Sequence, residues 1–166
     1  MSDLALRVER LEAESAIKSL KYRYLNACDE KCPDQILACF LPGKINIDFG
    51  HIGQFSSRED FVDVYKALAN HDHIVDMHHA QNPAVKVLDS DRASAKIPLR
   101  FLSINTKDKT RVQIGGYYSD EYRRVDGHWL ISASRFTVTL VEMQDFSSNQ
   151  TVVTYAGNKM PHLAAD

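Results

Sequence analysis

Residues 111–129 read RVQIGGYYSDEYRRVDGHW. Val112, Ile114, Gly116, Tyr118 and Tyr122 fall on alternate positions and share one face of a strand. Asp126-Gly127 is a strong signal for a tight hairpin turn. Trp129 opens a second alternating run through Thr139, in which Trp129, Ile131, Ala133, Arg135 and Thr137 share a face. This period of two extends back through Arg92 to Asn105 and through His78 to Val87, with turns at Asp89-Ser90-Asp91 and Lys107-Asp108-Lys109. Four strands in antiparallel meander follow. Gly115-Gly116 lies inside one of them, where glycine marks a bulge or a close approach and lets the sheet bend.

Upstream the period is helical. Leu4, Val8, Leu11, Ile17, Leu20 and Tyr24 predict an amphipathic helix from about Asp3 to Asp29. Pro33 suits the first turn of a short second helix ending near Phe40. Ile45 to Phe49 reads as a short strand. Ser57, followed by Glu59 and Asp60, opens a third helix running to about Ala69. Helices first and a long antiparallel sheet afterwards define an α+β fold. Residues 1–140 form the domain. Residues 141–166 are less regular and form an extension of that domain or an arm onto a neighbouring subunit, with a short strand near Thr151 to Tyr155.

The 166 residues carry 44% hydrophobic and 25% charged side chains and a formal net charge of -2. That balance gives no electrostatic footing for a nucleic-acid partner. No apolar run reaches the roughly 20 residues of a membrane span, and the charged N-terminal stretch lacks the apolar block of a signal peptide. The expected location is the cytoplasm, where Cys28, Cys32 and Cys39 would be free thiols.

His78-His79 opens the sheet. Alternation sends only one of them inward. His78 shares its face with Ala80 and Asn82, and His79 takes the other side. An inward histidine is commonly a hydrogen-bonded core group. Asp29, at the end of the first helix, offers more. A carboxylate meeting His78 would fix the ring tautomer and stabilise the imidazolium, making a competent base. Arg135, on the face of Trp129 and Ile131, either meets an anion inside or reaches out to water. Ile97, Leu99 and Phe101, with the tyrosine-bearing face, make a mostly apolar wall that fits a small hydrophobic ligand or an ordinary core. His71, His73, Asp76, His78 and His79 cluster in sequence but match no metal-binding spacing, and no metal is expected.

Tyr24-Leu25-Asn26-Ala27-Cys28-Asp29, His78-His79-Ala80-Gln81-Asn82, Ile114 to Tyr122 and Asp126-Gly127-His128-Trp129 together resemble the SnoaL-like branch of the nuclear transport factor 2-like superfamily. The likeness, over about residues 3 to 140, is nearest to the group holding scytalone dehydratase, bile-acid 7α-dehydratase and hexachlorocyclohexane dehydrochlorinase. It implies a cone-shaped α+β barrel with three N-terminal helices on a strongly bent sheet. It implies a cofactor-independent lyase of dehydratase type, using a His–Asp dyad on a small hydrophobic, cyclic substrate. By this resemblance the dyad falls on His78 and Asp29, with Tyr24 at the leaving oxygen and Arg135 at developing negative charge. Tyr118, Asn82, Phe101 and Trp129 would contact or support the substrate. The superfamily also holds isomerases, cyclases and non-catalytic binding proteins. A homo-oligomer, trimer or dimer, is the expected assembly.

Overall fold

The computed structural model describes residues 3–161. Three helices pack on an eight-stranded, strongly curved, mostly antiparallel sheet. The helices are α1 (Asp3–Asp29), α2 (Pro33–Ala38) and α3 (Arg58–Leu68). The strands are β1 (Asn46–Asp48), β2 (Gln54–Phe55), β3 (Ile74–Ala80), β4 (Ala84–Val87), β5 (Arg92–Asn105), β6 (Thr110–Val125), β7 (His128–Asp145) and β8 (Val152–Gly157). They run in the order β2-β1-β7-β6-β5-β3, with β4 also on β5 and β8 also on β7. The pairing of β1 with β7 is parallel.

Local chemistry accounts for the element ends. Ser57 caps α3, its hydroxyl accepting from the Asp60 N–H at 3.1 Å. Pro33 sits at the first position of α2. Asp126 and Gly127 both have positive φ, +50° and +81°, as a tight hairpin between twisted strands requires. Gly116 has a steric reason to be glycine. A Cβ there would lie 2.3 Å from the Thr137 carbonyl oxygen and 2.7 Å from the Phe136 ring.

Four expectations need correction. The single strand from His78 to Val87 is two strands, β3 and β4, both paired to β5, and the first begins earlier, at Ile74. Gln81, Asn82 and Pro83 separate them. Asn82 has φ +44° and is exposed, so the face shared by His78 and Ala80 does not continue to it. In β7 the pairing with β6 passes from Ile131 to Ala133 and leaves Ser132 over. One extra residue reverses the alternation. Ser134 and Phe136 then point in, and Arg135 points out. The first turns of α1 leave Leu4 68% and Leu11 64% exposed, and burial begins in earnest at Ile17. A helix of 27 residues is about 40 Å long, more than the sheet beside it covers.

After residue 140, β7 continues to Asp145 and β8 folds back against it, so this stretch is hydrogen-bonded to the same sheet. No described helix is long and apolar enough to cross a membrane. The three cysteines are free thiols.

Candidate active site

The concave side of the sheet, α1 and α3 line a half-open cavity of about 160 Å³. An engineered protein cavity of roughly 150 Å³ accepts benzene, so this one is the size of a single ring. Its wall is mainly apolar: Phe49, Phe61, Leu99, Phe101, Ile114 and Phe136 contribute to it. The polar groups are few. They are Tyr24, Cys28 and Tyr65 from the helices, Tyr118 from β6, Asp76 and His78 from β3, and His51 from the short turn after β1.

The last residue of α1 meets the middle of β3. Asp29 Oδ1 accepts from His78 Nδ1–H at 2.5 Å, and Asp29 Oδ2 accepts from the His78 backbone N–H at 2.9 Å. The carboxylate therefore holds both the ring and the chain that carries it. A helix C-terminus is an unfavourable place for a negative charge, and these two donors offset that cost. An ionised carboxylate only accepts, so in the neutral ring the proton sits on Nδ1 and the lone pair on Nε2. The His78 side chain is 14% exposed, and its ring lies 4.5 Å from that of Phe101, centroid to centroid. Phe101 is its direct partner across the ladder. His79 takes the opposite face and is exposed.

Tyr24 and Tyr118 form the cavity's hydroxyl pair. Their rings are 6.5 Å apart in edge-on contact. Burial pushes both phenols well above the ordinary range. Both remain protonated donors at any physiological pH. The Cys28 thiol beside Tyr24 is likewise pushed up by burial and stays neutral.

Behind the tyrosines lies an ion pair. Lys21 Nζ is 2.8 Å from Asp120 Oδ2, and neither side chain is exposed at all. Asp120 also accepts from the hydroxyls of Ser134, at 2.6 Å, and Tyr122, at 2.9 Å. Among the described residues the Lys21 ammonium meets no acceptor with hydrogen-bond alignment, and it sits 3.3 Å from the centre of the Tyr118 ring. Burial lowers its pKa, against the pull of Asp120.

The remaining candidates from the sequence are placed elsewhere. Arg135 is 63% exposed at its side chain, with Nε 3.2 Å from Asp48 Oδ2 on the outer face, because of the extra residue at Ser132. Asn82 is in the exposed turn after β3. Trp129 is 8% exposed and packs in the core near the hairpin, away from the cavity wall. Of the clustered histidines, His71 and His73 stack on each other at 5.3 Å. Among the described residues no three His, Cys, Asp or Glu side chains are placed to hold a metal ion.

Lys21 and Asp120 escaped the sequence reading, as did His51 and Tyr65 of the cavity wall, and Asp76 entered it only within the histidine cluster. Asp120 has the parity of Tyr118 and Tyr122, and Asp76 that of His78. Lys21 stands four residues after Ile17 and three before Tyr24 on the buried face of α1. Position alone marked each as inward; their charge argued against it.

The fold is shared with solved structures. A scytalone-dehydratase-like protein of Novosphingobium aromaticivorans superposes with a TM-score of 0.75 at 16% identity, covering 95% of this chain and 99% of that one. The type 3 hexachlorocyclohexane dehydrochlorinase of Novosphingobium barchaimii gives 0.72 at 17% identity, covering 93% and 99%. A Mycobacterium tuberculosis protein of unknown function gives 0.69 at 18% identity, covering 83% and 76%. At these identities the likeness is one of fold. The sequence itself matches the SnoaL-like domain over residues 9–135, and the chain belongs to that family.

Proposed function

We propose that the protein is a cofactor-independent lyase of dehydratase type, acting on a small, single-ring substrate. The observation that carries this reading is the pair of hydrogen bonds from His78 to the Asp29 carboxylate beside a ring-sized apolar cavity. Nδ1 is engaged, so Nε2 is the nitrogen available to a carbon-bound proton next to an activating carbonyl. As that C–H bond breaks, its electron pair forms the new double bond and the C–O bond to the leaving hydroxyl breaks. Tyr24 donates a hydrogen bond to the departing oxygen. The proton held by the imidazolium passes to that oxygen, water leaves, and His78 returns to its starting state. Asp29 stabilises the transient imidazolium. Tyr118, edge-on against the Tyr24 ring, contacts the substrate ring. Dehydratase and dehydrochlorinase neighbours of the same fold support elimination over other uses of the base.

Product analysis tests this. The protein is incubated in D₂O with single-ring β-hydroxyketones, and NMR follows the ring protons. Loss of the hydroxyl with formation of the conjugated alkene is expected. Deuterium uptake with the hydroxyl retained would assign an isomerase or cyclase role to the same base. No change in any compound of a broad panel would favour a binding protein. The exposed leucines of α1 and Val152 and Val153 of β8, each 53% exposed, support a homo-oligomer; a monomer by sedimentation at micromolar concentration would contradict that.

A further inference from the structure

Asp76 is two residues before His78 on the inward face of β3 and lines the same cavity. Its side chain is 4% exposed. Oδ2 lies 3.5 Å from the Lys31 ammonium, whose shorter bond, 2.7 Å, goes to the Ala69 carbonyl. Oδ1 is buried, and no donor from the described residues reaches it. A buried carboxylate oxygen without a donor is costly and uncommon. Of the polar side chains on the same wall, Tyr65 is engaged elsewhere, its hydroxyl donating to the Cys28 carbonyl at 2.8 Å, and the His78 ring nitrogen Nδ1 is held by Asp29. Nothing in the elimination chemistry uses Asp76 either.

We infer that Asp76 is a ligand-binding residue whose Oδ1 accepts a hydrogen bond from a hydroxyl on the substrate ring, distinct from the hydroxyl that leaves. The neighbouring Lys31 cation already balances the carboxylate charge, so the fitting donor is a neutral hydroxyl and not an ammonium. Two residues of strand span about 7 Å. The donor therefore lies across the ring from the carbon whose proton His78 takes, a distance that a six-membered ring and its substituent bridge. A carboxylate at this point also disfavours acids in that half of the cavity. The substrate class narrows to neutral rings with a second hydroxyl. This assignment rests on the cavity being the ligand site of the proposed lyase, but it is tested by binding alone.

The probes are p-cresol and p-xylene, single rings of nearly equal shape that differ by one hydroxyl. Their dissociation constants are measured by ¹⁵N-resolved NMR titration on the wild type, Asp76→Asn, Asp76→Leu and His78→Ala. The ratio of the p-xylene to the p-cresol constant is expected to fall about tenfold or more in Asp76→Leu, the usual scale for a hydrogen bond to a charged group. Asp76→Asn, close in shape and safe for folding, keeps an acceptor without its charge and should give an intermediate ratio. His78→Ala should leave the ratio unchanged, even though it removes the proposed base. An unchanged ratio in both Asp76 variants overturns the inference, as does failure of the wild type to bind p-cresol. Loss of the ratio in His78→Ala with its retention in both Asp76 variants would transfer the hydroxyl's partner to His78. Absence of any elimination activity, with the Asp76 effect present, would remove the lyase reading and leave the binding site standing.

Discussion

Asp29 spends both carboxylate oxygens on one residue, His78: Oδ1 on the ring at 2.5 Å and Oδ2 on the backbone N–H at 2.9 Å. The bond to the backbone fixes the strand, and the bond to the ring fixes the tautomer. An asparagine has one acceptor and one donor end and cannot serve both. Asp29→Asn is therefore expected to lower kcat by about 10² or more, within the range of general-base effects, with a smaller change in KM. Long-range ¹⁵N NMR of the His78 ring should show the proton on Nδ1 in the wild type and a mixture in the variant. An unmixed Nδ1–H tautomer in the variant would contradict this role for Asp29.

Arg135 has lost its claim to the cavity. It faces outward in an exposed pair with Asp48, the kind of contact worth up to about 1 kcal/mol. Arg135→Ala should leave kcat/KM within about threefold of the wild type and stability nearly unchanged. A hundredfold loss of activity would place the guanidinium back at the substrate.

The difference at Arg135 shows what was legible in the sequence. Alternation gave the three long meander strands β5, β6 and β7, the Asp126-Gly127 turn and the inward sense of His78, because each depends on residues close together in the chain. One surplus residue, Ser132, reversed the parity beyond it, and no local signal announced that bulge. The break at Asn82 has the same character. It was flagged by Pro83, but the φ of +44° that turns Asn82 out is set by how two short strands share β5. The buried charges were hidden for another reason. Lys21, Asp76 and Asp120 are inward by position, yet a charge is expected outside unless its partner is known, and the partners lie far away in sequence.

Lys21 and Asp120 are unequal partners. Asp120 keeps two hydroxyl donors if the lysine is removed; Lys21 loses its only ion-pair partner among the described residues if the aspartate is removed. Asp120→Asn should cost about 3–5 kcal/mol in urea unfolding, as expected when a buried charge loses its partner. Lys21→Met should cost less, and Lys21→Met/Asp120→Asn together should cost less than Asp120→Asn alone. Equal losses for the two single variants would contradict this asymmetry.

The tyrosines set the alkaline limit. Burial holds Tyr24, Tyr65, Tyr118 and Tyr122 above the ordinary phenol value in the fold. The unfolded chain releases those protons near pH 10 while the folded protein still holds them. Stability is thus intact below about pH 9 and falls as pH rises through about 10. Lys21, whose pKa burial lowers, acts in the opposite sense, one lysine against four tyrosines. The urea midpoint should drop between about pH 9 and 11, and tyrosinate absorbance should rise together with unfolding. Full ionisation at 295 nm with the fold intact would contradict the burial of these phenols.

The proposed elimination depends on His78 as the base. The most direct measurement compares wild type and His78→Ala for the rate of deuterium uptake or elimination at the carbon beside the carbonyl of a substrate found in the β-hydroxyketone panel. Tm and the NMR spectrum check that the fold is kept. The expected result is a loss of about 10²–10⁴ in rate in the variant, the range of a general base. Near-wild-type rates in a folded His78→Ala protein would contradict the mechanism.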